Sequence, residues 1–300
     1  MNLIEVLLLG IVEGVTEFLP VSSTGHLTIA EGLLGLQVDD PGVTAFTAII
    51  QVGAIAAVII YFRSDIARLA SAWLRGLLNG PAREAPDYRF AWYVILGSIP
   101  IGIVGFLAQG LISGPLRNLW VVVAALVGWS AVMWIAERVG KRDRPESSLN
   151  LADAVIIGLV QCFALIPGVS RSGATISAGL LRDLDRVAAT RLAFFLAIPA
   201  LVAAGAYEAI KEASVISTGV GWLPTVLAMG VSFVVAYASI AWLLRFVAKH
   251  SITVFIWYRV ALAAVIAVLL GTGDAEPNVD TSEPSTDASR RRLSARLRPQ

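Results

Sequence analysis

The chain has 300 residues, 57% of them hydrophobic and 15% charged, with a formal net charge of +1. Ordinary soluble domains carry about 25% charged residues, so this composition argues against a soluble globular protein. A balance so near neutral gives no sign of a nucleic-acid partner, and the single cysteine, Cys162, excludes a disulfide framework within the chain.

Residues 2–19 are helical in pattern and stop at Pro20. Ser22, Ser23, Thr24 and Gly25 then form a break before a second short apolar run at 27–36. The stretch GIVEGVTEFLPVSSTGH, Gly10 to His26, places Glu13 and Glu17 four residues apart. On a helix they share one face, a turn apart. Two like charges there repel and lose hydration in apolar surroundings, so a shared proton, a bound cation or a nearby basic group must offset the cost. The run has no basic leader and contains Glu5 as well, so it reads as mature sequence rather than a signal peptide. Neither half comfortably spans a membrane around the polar break, which predicts a re-entrant helix–loop–helix. Such backbone is tolerated at membrane depth only where protein buries it or where it lines a wet cavity.

Apolar runs at 45–62, 91–112, 119–136, 192–210, 222–244 and 252–271 follow. Each reaches or approaches the ~20 residues needed to cross a bilayer. The fold class is therefore an all-α polytopic membrane protein. Between the first two runs, DIARLASAWLRGLL (65–78) predicts an amphipathic surface helix. A charged loop occupies 137–153, and the opening pattern then returns. Gly158-Leu-Val-Gln161 echoes Gly10-Ile-Val-Glu13, Val169-Ser170 echoes Val21-Ser22, and Gly173 stands where Gly25 stood. Ala193-Phe194 and Ile198 repeat Ala45-Phe46 and Ile50 at the same offset of 148 residues. That constancy predicts an internal duplication, a pattern recurrent in membrane folds whose site lies between the repeats. Repeat one covers about 1–140 and repeat two about 150–271, within one membrane domain, 1–271. Residues 272–300 read as a disordered polar and basic tail.

If 2–36 and 152–182 are re-entrant and six segments cross, the basic residues divide unevenly. One side carries Arg63, Arg68, Arg75, Arg83 and Arg89, Arg138 to Arg144, Arg182 to Arg191, and Arg245 and Lys249. The other has only Arg117 and Lys211 near the spans. The positive-inside rule makes the first side cytoplasmic. Each repeat then has a hairpin and three crossings, the two are inverted, and the Glu13/Glu17 hairpin enters from outside. The five arginines of the tail, which this arrangement puts outside, run against it.

The second turn reads PGVSRSGAT, Pro167 to Thr175. Ser170, Ser172 and Thr175 offer hydroxyls and Arg171 a permanent charge, before a helix that resumes near Gly173. Free N–H groups at such a helix start, beside a guanidinium, make an anion site, with phosphate the natural occupant. The competing reading is an arginine that only neutralises Glu13 or Glu17. The two carboxylates could hold a divalent cation that bridges to phosphate. His26 suits a nucleophile or general acid/base, or equally a helix-start residue bonded to nearby backbone. Gln51 and Gln161 are weaker candidates for a cavity lining or an interhelical bond. Arg259, in IWYRVALA, is costly in mid-span unless paired, and is a candidate second anion contact.

EGVTEFLPVSSTGH and PGVSRSGATIS resemble, almost residue for residue, the signature regions of the undecaprenyl-diphosphatase family, the bacitracin-resistance type of bacterial inner-membrane phosphatase. The resemblance extends over roughly 1–270. It implies hydrolysis of a polyprenyl diphosphate to the monophosphate carrier lipid reused in peptidoglycan synthesis. It also implies a multi-pass protein of the inner (plasma) membrane whose active site opens outward. By resemblance, Glu13 and Glu17 serve divalent cation use (Mg2+ or Ca2+) and catalysis, and His26 and Ser23 are the proposed catalytic histidine and serine. Ser170, Arg171 and Thr175 match a phosphate-binding loop, with Ser172 inside it, and Arg259 an arginine of the last helix. The chain departs at Phe46-Thr47-Ala48, where some relatives carry a glutamate after the phenylalanine. The choice between His26 and Ser23 as nucleophile stays open, as does a homo-oligomer. Inverted repeats with broken helices are also transporter architecture, so a secondary transporter or polyprenyl-phosphate flippase is the competing expectation.

Overall fold

A computed structural model describes residues 1–36, 40–113, 115–116 and 118–273. The proposed tail from residue 274, and Arg117, lie outside the described residues. The helices are, in order, α1 (Leu3–Thr16), α2 (Ser23–Leu33), α3 (Pro41–Tyr61), α4 (Arg63–Leu78), α5 (Pro86–Leu107) and α6 (Gln109–Ser113). They continue as α7 (Leu119–Val139), α8 (Leu151–Gln161), α9 (Arg171–Leu181), α10 (Arg186–Thr218), α11 (Trp222–Val247) and α12 (Thr253–Thr272). Six of them, α3, α5, α7, α10, α11 and α12, are long and apolar enough to cross a membrane. Among the described residues no strand forms, only an isolated bridge between Arg144 and Leu184. The chain is thus an all-helical polytopic membrane protein. The segment at 65–78 lies within α4, whose Leu74, Leu77 and Leu78 stay exposed.

The two hairpins, α1–α2 and α8–α9, are built alike. Asn2 and Glu5 form a reciprocal capping box at the start of α1, and Asn150 and Asp153 do so for α8, 148 residues later. Each such cap satisfies N–H groups that would otherwise be orphaned in an apolar setting. Past the turns, α2 and α9 begin at Ser23 and Arg171, again 148 residues apart. Arg171 and Ser172 therefore lie in the first helical turn rather than in the loop before Gly173. The residues just before these helices, Ser22 and Ser170, both have positive φ, 76° and 72°. A non-glycine residue there costs on the order of 1–3 kcal/mol and persists only where its surroundings enforce it.

Packing crosses between the halves. α1 lies along α11, and its counterpart α8 lies along α5; α3 packs on α10 and α11, and α12 on α7. Gly10 and Gly158 mark the close crossings: a Cβ on Gly10 would stand 2.8 Å from the Ala228 carbonyl oxygen, and one on Gly158 would collide with that of Gly97. The main core gathers Phe18, Phe62, Phe194 and Phe195 with aliphatic residues of α3, α9, α10 and α11.

One end of the bundle is tied by ion pairs. Glu137 receives Arg142 and Arg186, Asp153 receives Arg144 and Arg182, and Arg191 joins Asp65 to Glu146. These pairs link α4, α7, α8 and α10 on the arginine-rich side.

Candidate active site

Both turns open on one cavity of about 190 Å³. The first hairpin contributes Glu17, Ser22, Ser23 and Thr24, and the second Pro167, Gly168, Ser170 and Arg171. α3 adds Gln51, while Ile101, Leu165 and Ile166 make an apolar wall.

Glu17 is the hub. It follows α1 directly, its N–H bonded to the Glu13 carbonyl, so its side chain leaves the helix where the chain turns. Its Oε1 accepts from Gln51 Nε2 at 3.0 Å and is ion-paired with Arg171 Nη2. Its Oε2 accepts from Ser23 Oγ at 2.9 Å. Each helix start carries roughly half a positive charge. The starts of α2 and α9, together with the Arg171 guanidinium, therefore outweigh the one carboxylate at this cavity. Such a place favours an anion with several oxygens.

The other expected residues are distributed around this hub. Glu13, one turn earlier, is buried behind the cavity lining, and its Oε1 has no hydrogen-bond partner. Ser170 caps α9 by accepting from the Gly173 N–H at 3.2 Å and bonds Ser172 Oγ. Ser172 and Thr175 do not line the cavity. Because α9 already begins at Arg171, Thr175 falls one turn inside it and donates to the Arg171 carbonyl at 2.8 Å. Thr47 likewise donates to carbonyls of its own helix, at Val43 and Thr44.

His26 sits beside the cavity. Its Nδ1 donates to the Ser22 carbonyl at 2.7 Å, and that bond leaves Nε2 to meet the Tyr258 hydroxyl at 2.6 Å. The two rings lie parallel, with centroids 5.4 Å apart. Arg259 is fully buried, and its donors go to protein rather than to the cavity. Nε meets Ser130 Oγ at 3.1 Å, Nη1 reaches the Pro20 carbonyl at 3.5 Å, and Nη2 the Gly168 carbonyl at 3.0 Å. One side chain of α12 thereby braces both turns. The cost of a mid-span arginine was legible; its carbonyl partners, over 90 residues away, were not. Gln51 ranked as a weak signal, and Tyr258 as none, because an isolated glutamine or tyrosine in an apolar run has no pattern of its own.

Six membrane-length helices around a cavity lined by polar groups of both turns define a polytopic membrane protein with an internal polar site. The chain belongs to the family of the bacitracin resistance protein BacA, whose model matches residues 6–265. It is 59% identical over 273 residues to undecaprenyl-diphosphatase 3 of Frankia casuarinae, covering 91% of this chain and 98% of that one. It is 56% identical over 273 residues to the undecaprenyl-diphosphatase of Acidothermus cellulolyticus, with the same coverage. A mycobacterial undecaprenyl-diphosphatase, from Mycobacterium sp. strain KMS, is 46% identical over 275 residues, again covering 91% and 98%.

Proposed function

We propose that the chain hydrolyses undecaprenyl diphosphate to undecaprenyl phosphate and inorganic phosphate, recycling the carrier lipid for peptidoglycan synthesis. The observation that carries this is the convergence of two helix starts, Arg171 and the Ser23–Glu17 hydrogen bond on one cavity. The terminal phosphate sits between the starts of α2 and α9 and is held by Arg171. The first isoprenyl carbons run along Ile101 and Leu165.

Ser23 is the nucleophile in this reading. It lines the cavity and already donates to a carboxylate, whereas both ring nitrogens of His26 are already taken up by Ser22 and Tyr258. As Ser23 Oγ bonds to the terminal phosphorus, its proton passes to Glu17 Oε2 and the bridging P–O bond breaks. Undecaprenyl phosphate departs with that proton. Water then attacks the phosphoserine, giving its proton to Glu17, which returns it to Ser23 as inorganic phosphate leaves. Arg171 and the helix starts stabilise charge on the transferring phosphoryl group. Gln51 holds Glu17 in the orientation that faces Ser23. Ser170, Ser172 and Thr175 shape the second turn, and Arg259 fixes both turns rather than touching substrate.

Among the described residues no cluster of three or more His, Cys, Asp and Glu forms a metal cage. The partnerless Glu13 Oε1 still fits a divalent cation, Mg2+ or Ca2+, which Glu13 would hold together with Glu17 one turn on. Such an ion supplies charge neutralisation at the diphosphate.

The hairpins are re-entrant and the repeats inverted in this reading, within the inner (plasma) membrane. Paired capping boxes, paired positive-φ serines and crossed packing at the 148-residue offset support the duplication. The arginine-rich end faces the cytoplasm and the cavity opens outward, by the positive-inside rule. The test is phosphate release from undecaprenyl diphosphate by detergent-purified protein, with acid quenching to trap a phosphorylated Ser23 peptide. A transporter or flippase releases nothing in micelles, and equal background release from wild type and Ser23→Ala would end the phosphatase reading. Turnover by Ser23→Ala at the wild-type rate would move the nucleophile to water.

A further inference from the structure

The second helices of the two hairpins are seated very differently. In α9 every residue from Ser172 to Leu180 is buried, and the helix packs on α7, α8 and α10. In α2 only Gly25 and Glu31 are buried, and its main packing partner is α1. The turns before them share the same unusual backbone but not the same support. Ser170 accepts a capping hydrogen bond on its own side chain, while Ser22 has no side-chain cap. The strained Ser22 conformation therefore needs another restraint.

His26 supplies it by donating Nδ1–H to the Ser22 carbonyl. The residue at the equivalent place in α9 is Ala174, buried where packing holds the helix without such a bond. His26 is itself held from outside its own hairpin, because Tyr258 of α12 meets Nε2 at 2.6 Å and lies parallel to the ring. Tyr258 also precedes Arg259, whose burial fixes this register of α12. A chain of bonds thus runs from α12 through His26 to the turn that carries Ser23.

We propose that Tyr258 is a positioning residue: through His26 it fixes the Ser22 turn, and so holds Ser23 Oγ on Glu17. The proposal rests on the phosphatase reading for its kinetic consequence, but the Tyr258–His26 coupling exists independently of that reading. With the tyrosine hydroxyl gone, Ser23 loses alignment while the phosphate-binding cationic groups stay in place, so turnover falls and substrate binding does not.

The experiment uses the full-length protein in detergent. The chain has two histidines, His26 and His250, so 15N-histidine labelling with a His250→Gln variant assigns the His26 ring signals. Tyr258→Phe, which keeps the ring and removes the hydroxyl, is expected to move the Nε2 resonance and leave Nδ1 protonated. Unchanged His26 signals would overturn the coupling whether or not the protein is a phosphatase. Tyr258→Phe is further expected to lower kcat about 10-fold with KM within twofold, and to add nothing in a His26→Ala background. Unchanged kcat, or an effect that adds fully to that of His26→Ala, would overturn the positioning role. Absence of phosphate release from wild type, with the Nε2 shift present, would instead count against the phosphatase reading alone.

Discussion

Gly10 and Gly158 stand 148 residues apart, and each lets its helix touch the backbone of a helix from the other half of the chain. Gly10 meets α11 at Ala228, and Gly158 meets α5 at Gly97. The hairpins are thereby wedged into the opposite halves, which brings their turns face to face.

Adding a methyl group at either crossing must push the helices apart. Overpacking of this kind costs about 1–3 kcal/mol. Gly158→Ala and Gly10→Ala are expected to lower the thermal midpoint in detergent, followed by tryptophan fluorescence. Gly128→Ala, where a Cβ meets nothing within 4 Å, is the control and is expected to leave it unchanged or slightly raised.

Arg171 presents its guanidinium both to the cavity and to Glu17. Arg171→Ala is expected to reduce phosphate release by about 10²–10³-fold, the scale of losing a main charge-stabilising group. Arg171→Lys keeps the charge but loses the planar fork, and is expected to recover little of that rate. Recovery to near wild-type turnover would show that charge alone suffices.

Removal of divalent cations tests Glu13. Chelator is expected to abolish phosphate release, with activity restored by adding Mg2+ or Ca2+. In Glu13→Gln the concentration of cation needed for half activity is expected to rise at least 10-fold, since the amide oxygen carries no charge to hold it. A cation requirement equal to wild type would remove Glu13 from that role.

The joint between α4 and α10 has a pH dependence with a definite sign. Burial pushes the Asp65 carboxyl up, but hydrogen bonds from Arg68 and Arg191 and their charges outweigh it and hold the group below the ordinary aspartate value. Its contribution to stability is therefore complete above the unfolded-state value of about 3.9 and is lost as pH falls through the lowered one. Because the group is partly exposed, the contribution is at most about 1 kcal/mol. Thermal midpoints measured from pH 7 to 3 are expected to fall less steeply below pH ~4 for Asp65→Asn than for wild type.

Much of this architecture was readable because membranes impose simple rules. Six apolar runs became six long helices with ends shifted by up to eight residues, and the proline-bounded turns fell where Pro20 and Pro167 broke the pattern. The echo between residues 10–25 and 158–173 exposed two hairpins of like construction. The expense of Glu17 in such surroundings pointed to a basic neighbour, and Arg171 pairs with it. Contacts that no local pattern encodes stayed hidden. Arg259 announced a cost, yet its partners are carbonyls, which every residue has. The sequence shows Thr175 only as a hydroxyl near the turn; that it donates to the Arg171 carbonyl follows from where α9 starts. His26 stood among hydroxyls in the sequence, while its ring turns toward Tyr258, 232 residues away.

The Arg259 brace also bears on the order in which the site can be assembled. Both turns are present well before the ribosome reaches α12. Until Arg259 arrives, the carbonyls of Pro20 and Gly168 lack the donor that draws the turns together. A nascent chain stalled before α12 would hold every cavity-lining residue and still lack the side chain that joins the two turns.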